Sequence, residues 1–113
     1  MNFNINRVKI SVTIPVDSVA SVRDALFDVG VGIIGNYTNC SLSTKCIGNF
    51  KPNDKAHPFI GEKNKMQFVE EERLEVFCDV KDVKNVISRL REIHPYEEPV
   101  IDIIPLLDEK DFN

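Results

Sequence analysis

Two kinds of hydrophobic periodicity alternate along this 113-residue chain, and their order restricts the fold more than any other feature. Residues 8–14 (VKISVTI) alternate apolar and polar side chains, which is the pattern of a strand with one buried face. Apolar residues then recur at helical spacing over residues 19–29. We expect Asp17 to be the N-cap of that helix and Gly30 to end it.

The second half of the chain returns to the same patterns. We expect strands over residues 37–46 and 73–78, separated by an irregular excursion over residues 49–68 that is rich in proline and charge. A second helix should begin near Asp79 or Lys81. Its apolar stripe comprises Val83, Val86, Ile87, Leu90 and Ile93. A last strand over residues 100–104 should be closed by Pro105.

The order strand, helix, strand, strand, helix, strand predicts an α+β fold. Two such split βαβ units form a ferredoxin-like βαββαβ antiparallel sheet with both helices on one face. The opposite, helix-free face of this sheet should be mainly polar, as an antiparallel sheet tolerates. It should carry Lys9, Ser11, Thr13, Arg73, Glu75 and Phe77.

The last strand does not fit this division into an apolar and a polar face. Residues 100–104 (VIDII) are apolar on both sides except at Asp102. A strand that is apolar on both faces needs cover on both, and two helices on one face cannot supply it. Self-association therefore explains the segment, and local cover by the 49–68 excursion is the alternative.

Composition excludes several classes of partner. A net charge of −4 and a pI near 5.1 argue against binding the phosphate backbone of nucleic acids. The sequence contains no recognisable signal peptide and no apolar run of the roughly 20 residues that span a bilayer. The three cysteines, Cys40, Cys46 and Cys78, read as reduced thiols, so we expect a cytoplasmic protein without nucleic-acid or membrane partners.

A glycine motif at residues 30–35 (GVGIIG) matches the dinucleotide-binding fingerprint only formally. That fingerprint follows a strand and opens a helix, so that the helix N-terminus faces the pyrophosphate. Here the predicted order is reversed, because a helix precedes the glycines and a strand follows them. The glycines are better explained as a helix end and a turn.

Residues 94–99 (HPYEEP) concentrate the polar chemistry of the chain. Residues that precede proline avoid helical geometry, so His94 should end the second helix. If the stretch is extended, about 13 Å separates His94 from Glu98, and the stretch cannot chelate an ion alone. A metal site would need His57, Cys40 or another subunit. A structural junction, a ligand or metal site, and a catalytic site all remain open.

Several ordered motifs together resemble a known domain. They are GxGxIGNY at 30–37, NCSLST at 39–44, F-x-P at 50–52, HPFIGE at 57–62, VEE-x-R-x-E at 69–75, and HPYEEP at 94–99 followed by D-I-x-P-L at 102–106. The chain resembles a stand-alone version of the CutA/PII-like domain inserted in YqfO-type proteins, a dinuclear-metal family related to the Ngg-interacting factors. The resemblance covers residues 7–107, flanked by a flexible start (1–6) and a tail (108–113).

This resemblance implies a CutA/PII-like fold, in which three subunits commonly join their sheets edge to edge. The metal ligands of YqfO-type proteins belong to their flanking domains, so none is carried over to this chain. Hydrolase and GTP-cyclohydrolase activities are not carried over either. The family pattern has glycine where Asn64 stands, and asparagine tolerates the left-handed backbone that such a turn needs.

We therefore expect a non-enzymatic, cytoplasmic binding module that forms a homo-oligomer, with a trimer favoured, and takes a small ligand, a metal ion or a protein partner. The expected binding residues are Tyr37, Cys40, Ser41, His57, Phe59, Gly61, His94, Tyr96, Glu97 and Glu98. A divalent metal ion, if one is bound, would use His57, His94 and Glu97. The alternatives are a docking scaffold for a separately encoded dinuclear-metal protein and a small metal-dependent hydrolase.

Overall fold

A computed structural model describes residues 3–112. The expected flexible start and tail include Met1, Asn2 and Asn113, which lie outside the described residues. The main elements are β1 (Arg7–Pro15), α1 (Val19–Phe27), β2 (Leu42–Phe50), β3 (Gln67–Asp79), α2 (Val83–Ile93) and β4 (Ile101–Leu106). Short 3-10 turns occupy Val16–Ser18, Val80–Asp82 and Glu109–Phe112.

The four strands form one sheet in the order β2-β3-β1-β4, and every neighbouring pair is antiparallel. This topology confirms the predicted α+β, ferredoxin-like fold. Alternate residues of β1 and β3 pack against α1 and α2, which lie side by side. The fully buried side chains at this interface include Ile10, Ile14, Val22, Leu26, Leu74, Val86 and Leu90. Within residues 3–112, neither helix has the length and hydropathy to cross a bilayer.

The helix-free face carries the polar residues that the sequence predicted. Lys9 forms an ion pair with Glu75, with 3.5 Å between Nζ and Oε2. The side chains of Arg7 and Lys9 lie over the ring of Phe77, at 5.6 and 5.9 Å from its centroid. At this end of the face, the charged side chains of Arg7 and Lys9 therefore cover the ring of Phe77.

The first helix begins differently from the prediction, and the second begins close to the predicted Asp79 or Lys81. A 3-10 turn precedes each of them, and the residues at the N-caps are Ser18 and Asp82, neither of which makes a side-chain capping bond. The expected N-cap role of Asp17 is therefore wrong, because Asp17 lies inside the first 3-10 turn. Gly30 adopts φ +89°, as expected for the residue that turns the chain after α1.

The hairpin of β2 and β3 differs most from the prediction. The strands were expected at 37–46 and 73–78, but β2 starts five residues later and β3 begins at Gln67. Their pairing runs from Leu42 opposite Glu75 to Phe50 opposite Gln67. The far end of the hairpin extends past the helices, so Phe68 remains 72% exposed. On the helix side this end has no buried face, and the partly buried residues of its other face include Gly48 and Glu71, so the sequence lacks the regular apolar alternation that marks a strand.

Strand β4 is an edge strand that includes Pro105, so the prediction that this proline closes the strand is wrong. Proline lacks the N–H that a central strand would need, but an edge strand has one unpaired side. Ile103 lies opposite Ile10 on the helix side, and Ile104 lies opposite Lys9 on the other side. They are 42% and 43% exposed, so the 49–68 excursion does not cover them.

Candidate functional site

The loop over residues 51–66 meets the HPYEEP segment at residues 94–99. The backbone N–H of His57 donates a hydrogen bond to Glu97 Oε2 at 2.9 Å. The ring of Phe59 lies 6.5 Å from that of Tyr96, centroid to centroid. Two histidine-proline motifs that are far apart in sequence are thus adjacent in the fold.

His94 connects the end of α2 to the sheet. Its N–H donates to Leu90 O at 2.8 Å as the helix ends, and its ring Nε2 lies 2.8 Å from Thr13 O in β1. Its Nδ1 accepts a hydrogen bond from the N–H of Tyr96 at 3.0 Å. Because Nδ1 accepts, Nε2 carries the proton and the ring is neutral. Burial lowers the pKa of His94, and the nearby Thr13 carbonyl and Glu71 only partly oppose this.

The half-buried Tyr96 and the buried Glu71 form a polar pair at the helix-free face. The Tyr96 hydroxyl donates to Glu71 Oε2 at 2.7 Å, and Glu71 is only 5% exposed. Burial, and then the hydrogen bond to Glu71, raise the pKa of Tyr96 above its ordinary range. The phenol therefore keeps its proton and acts as a donor to the carboxylate.

Gly48 provides the space for the Glu71 side chain. A Cβ atom built at Gly48 would overlap Glu71 Oε1 and lie 2.6 Å from Glu71 Cδ. Residue 46 pairs with residue 71 across the hairpin, so Gly48 is two residues along the same face of β2. The absence of a side chain at this position lets the carboxylate lie flat over β2.

Gly48, Glu71 and Tyr96 line a groove of about 740 Å³ between the helix-free face, the 51–66 loop and the HPYEEP segment. Its apolar walls are formed by Ile47, Phe50, Pro52, Phe59, Ile60 and Val100. Its charged side chains are Lys51, Lys55, Glu71, Arg73, Glu97 and Glu98. A volume of this size is typical of pockets that hold small molecules.

The structure brings only part of the predicted binding set together. Phe59, Tyr96, Glu97 and Glu98 line the groove, and His57 and Gly61 belong to the adjoining loop. Gly61 adopts φ +101°, which requires glycine. Asn64 in the same loop adopts φ +63°, as its substitution for glycine predicted.

Three predicted residues lie at the other end of the sheet and do not line the groove: Tyr37, Cys40 and Ser41. Tyr37 is 75% exposed in a tight turn with Ile34. The N–H of Cys40 donates to Gly32 O, and Gly32 in turn donates to Phe77 O. All ten binding assignments stay predictions.

The sequence reasoning missed Glu71, Gly48 and Phe50. Glu71 lies in a run of three glutamates (70–72) that resembles a solvated charged segment. Two of the quoted motifs nevertheless contain groove residues, since VEE-x-R-x-E includes Glu71 and F-x-P begins at Phe50. The order of the motifs therefore carried a signal that single residue types did not.

The donor groups do not fit the metal site suggested by the sequence. Within residues 3–112, no three histidine, cysteine, aspartate or glutamate side chains are grouped closely enough to hold a metal ion. Both ring nitrogens of His94 are already engaged in hydrogen bonds. A divalent ion bound by His57, His94 and Glu97 stays a prediction that this geometry does not support.

Comparison with known proteins relates the chain to one segment of longer bacterial proteins. It is 43% identical over 98 residues to the GTP cyclohydrolase 1 type 2 homolog of Bacillus subtilis, covering 87% of this chain and 26% of that protein. The homolog of Halalkalibacterium halodurans is 39% identical over 101 residues, which are 89% of this chain and 27% of that protein. The chain thus spans about a quarter of the length of these relatives. No family model matches the sequence.

Solved structures give the same relation. A Bacillus cereus protein related to NIF3 superposes with a TM-score of 0.76 at 34% identity, covering 93% of this chain and 27% of that one. CutA1 of Ehrlichia chaffeensis superposes with a TM-score of 0.66 at 14% identity, and the match covers 92% of this chain and 84% of the CutA1 chain. The first match confirms the resemblance to the YqfO-type proteins, and the second shows a shared CutA1-like fold.

Proposed function

We propose that this chain, a homologue of one segment of the GTP cyclohydrolase 1 type 2 homologs, is a non-enzymatic binding module that self-associates through β4. The observation that carries the proposal is the apolar, unpaired edge of β4. The relatives and the CutA1-like fold support a small binding or oligomerisation module. The assembly, its favoured trimeric state and the ligand site are our proposal.

The β4 edge is only partly protected, by its short length, by Asp102 and by Pro105. Edge strands are commonly protected by short length, charged side chains, proline or bulges, because their unpaired N–H and C=O groups recruit other chains. Here Ile103 and Ile104 remain exposed on opposite faces of the strand, and Val100 and Leu107, at its two ends, are 61% and 51% exposed. A second copy placed along β4 would cover apolar side chains on both faces.

The groove lies beside this edge. Val100 lines the groove and directly precedes β4, so a copy bound along β4 would reach the mouth of the groove. This arrangement supports the predicted shared pocket near HPYEEP and the 57–62 loop. Free thiols at all three cysteines support the cytoplasm as the compartment.

The chemistry of the groove supports binding rather than catalysis. A catalytic site needs a nucleophile or base, a group that orients it, and room for substrate within hydrogen-bonding distance. The neutral ring of His94 is held by Thr13 and by the Tyr96 N–H, and the phenol of Tyr96 keeps its proton. These groups brace the groove and are not poised to move a proton.

Native mass spectrometry of the full chain, purified without added metal or chelator, tests this proposal because it reports stoichiometry and bound mass together. We expect a trimer, and sedimentation velocity should give the same stoichiometry in solution. A chain that remains monomeric at all accessible concentrations would refute self-association.

A docking role on a separately encoded dinuclear-metal protein is the second candidate. It is favoured by the relatives, in which the matched segment makes up about a quarter of a longer chain. The test is to mix this chain with the Bacillus subtilis relative from which the matched segment has been deleted. Co-elution as a defined complex in size-exclusion chromatography would support docking, and separate elution would oppose it.

A further inference from the structure

The floor of the groove contains a buried acidic group without a cationic partner. Glu71 takes part in none of the ion pairs that the described residues form. Its Oε2 accepts the hydrogen bond from Tyr96, and its Oε1 lies over Gly48. A neutral phenol supplies a hydrogen bond but no opposite charge, so Glu71 lacks the cationic partner that buried carboxylates usually have. A cationic ligand would supply that charge.

Two further aromatic rings lie next to Tyr96, the hydrogen-bond partner of Glu71. The ring of Tyr96 is in edge contact with that of Phe50 at 6.2 Å and lies 6.5 Å from that of Phe59, both measured between centroids. All three residues line the groove. Ring faces attract ammonium and guanidinium groups, and the attraction is stronger where water is excluded. The carboxylate and the rings therefore favour the same ligand charge.

The remaining charged side chains of the groove are exposed to water. They are Lys51, Lys55, Arg73, Glu97 and Glu98. Arg73 lies on the same face of β3 as Glu71 but is not among its partners in the ion pairs of the described residues. Exposed charges of both signs are screened by water and salt, whereas a buried charge is screened much less. Glu71 therefore dominates the electrostatic preference at the floor, where the ligand would be desolvated.

We propose that this groove binds a small organic cation, with an ammonium or guanidinium head at Glu71 and an apolar body against Phe50 and Phe59. This proposal rests on the binding function proposed above and specifies the class of ligand. The groove volume of about 740 Å³ is in the range for a small molecule rather than for a single side chain.

A matched ligand series on the unmodified full chain provides the test. The probes are phenylbutylamine, phenylbutanol and phenylbutanoate, which share an apolar body and differ in head-group charge. NMR titration should show the amine shifting the ring signals of Phe50, Phe59 and Tyr96, with an affinity about tenfold or more above that of the alcohol. Equal binding of amine, alcohol and carboxylate, or no shift at these rings, would overturn the proposal.

Two glutamate variants locate the preference. Glu71→Gln keeps an acceptor for the Tyr96 hydroxyl and removes the charge, so the amine should lose its advantage over the alcohol. Glu70→Gln is the matched control, because Glu70 is exposed and its side chain lies on the opposite face of β3. A preference for the amine that survives in Glu71→Gln would refute the assignment of the head group. If Glu71→Gln does not fold, the ligand series on the unmodified chain decides the question.

Assembly and cation binding can fail separately. The groove is lined by residues of one chain, so a monomer that prefers the amine would refute self-association and retain the ligand class. A stable trimer that shows no preference among the three probes would support self-association and refute the ligand class. Sedimentation velocity on the titration samples distinguishes the two results.

Discussion

Single polar side chains hold the HPYEEP segment against elements that are distant in sequence. The ring of His94 contacts Thr13 in β1, and the hydroxyl of Tyr96 contacts Glu71 in β3. Glu97 accepts the N–H of His57 in the loop. His94 thus acts as a brace, whereas Tyr96 and Glu97 belong to the groove, so the segment is both a connector and part of a candidate site.

The neutral ring of His94 should make stability depend on pH. Its pKa is lowered in the folded chain, whereas an unfolded histidine titrates near about 6.5. Just below that pH, His94 binds a proton in the unfolded chain but stays neutral in the folded chain. The free energy of unfolding should therefore fall as pH drops through this window, by up to about 1.4 kcal/mol per pH unit. Urea denaturation between pH 7.5 and 5 measures this slope.

Two histidine variants control that experiment. His94→Gln should reduce the slope, because it removes the titrating ring. His57→Gln should keep it, since His57 is exposed and its hydrogen bond to Glu97 uses the backbone N–H. An unchanged slope in His94→Gln would contradict the assignment to His94.

The two tyrosines provide a second comparison at this scale. Among the described hydrogen bonds, the Tyr96 hydroxyl is the one donor to the buried Glu71 carboxylate. Tyr96→Phe removes this donor and should lower the free energy of unfolding by about 1–3 kcal/mol. Tyr37→Phe is the matched control, with an expected change near zero because Tyr37 is 75% exposed. Chemical denaturation measures both, and equal changes would contradict the proposed role of the Tyr96 hydroxyl.

At the scale of elements, the two sheet edges differ in their surroundings. β2 continues into the 51–66 loop, whose docking on HPYEEP builds the groove. β4 is short, includes Pro105 and exposes isoleucines on both faces. The candidate ligand site therefore extends from the β2 edge to Val100 beside β4, and β4 itself carries the proposed contact between chains.

A lysine on β4 should prevent assembly without unfolding the chain. Ile103→Lys places a charge on the edge strand at a side chain that is already 42% exposed, so the cost to the isolated chain should be about 1 kcal/mol. Val16→Lys is the matched control, because Val16 is also 42% exposed but lies in the turn before α1. Sedimentation velocity should show dissociation for the first variant alone. Equal effects of the two would argue against β4 as the interface.

The docking of the loop also makes a prediction. Glu97→Ala removes the acceptor of the His57 N–H, so hydrogen exchange at that amide should accelerate at least about tenfold. Glu98→Ala is the control, since Glu98 is its exposed neighbour in sequence. An unchanged exchange rate in Glu97→Ala would mean that the loop is held by Phe59 and other contacts.

The whole molecule is more extended than its length requires. Its radius of gyration is 16.0 Å, against about 13 Å for a compact domain of this size, and its longest extent is 53 Å. The projecting hairpin leaves Ile47 and Phe68 66% and 72% exposed. An elongated chain with exposed apolar side chains at its hairpin and its β4 edge is consistent with a subunit of a larger assembly.

Assembly should couple stability to protein concentration. If the chains form a trimer that dissociates on unfolding, a tenfold rise in concentration should raise the apparent stability by about 1 kcal/mol per chain. Thermal denaturation at a series of concentrations measures this shift. A midpoint that does not move with concentration would contradict the coupling, and Ile103→Lys should show such a fixed midpoint.

The sequence by itself determined the order of the elements, the faces of β1 and α2 that are buried, and the left-handed turns at Gly30 and Asn64. These features follow from local rules, because periodicity records which face meets the core and a backbone angle depends on its own residue. The tertiary structure decided the extent of the hairpin and the composition of the groove. Its key contacts join residues 25, 40 and 81 positions apart, and no local pattern specifies such pairs. Glu71 appears as a solvated glutamate in the sequence and becomes a buried acceptor only because Gly48 and Tyr96 enclose it.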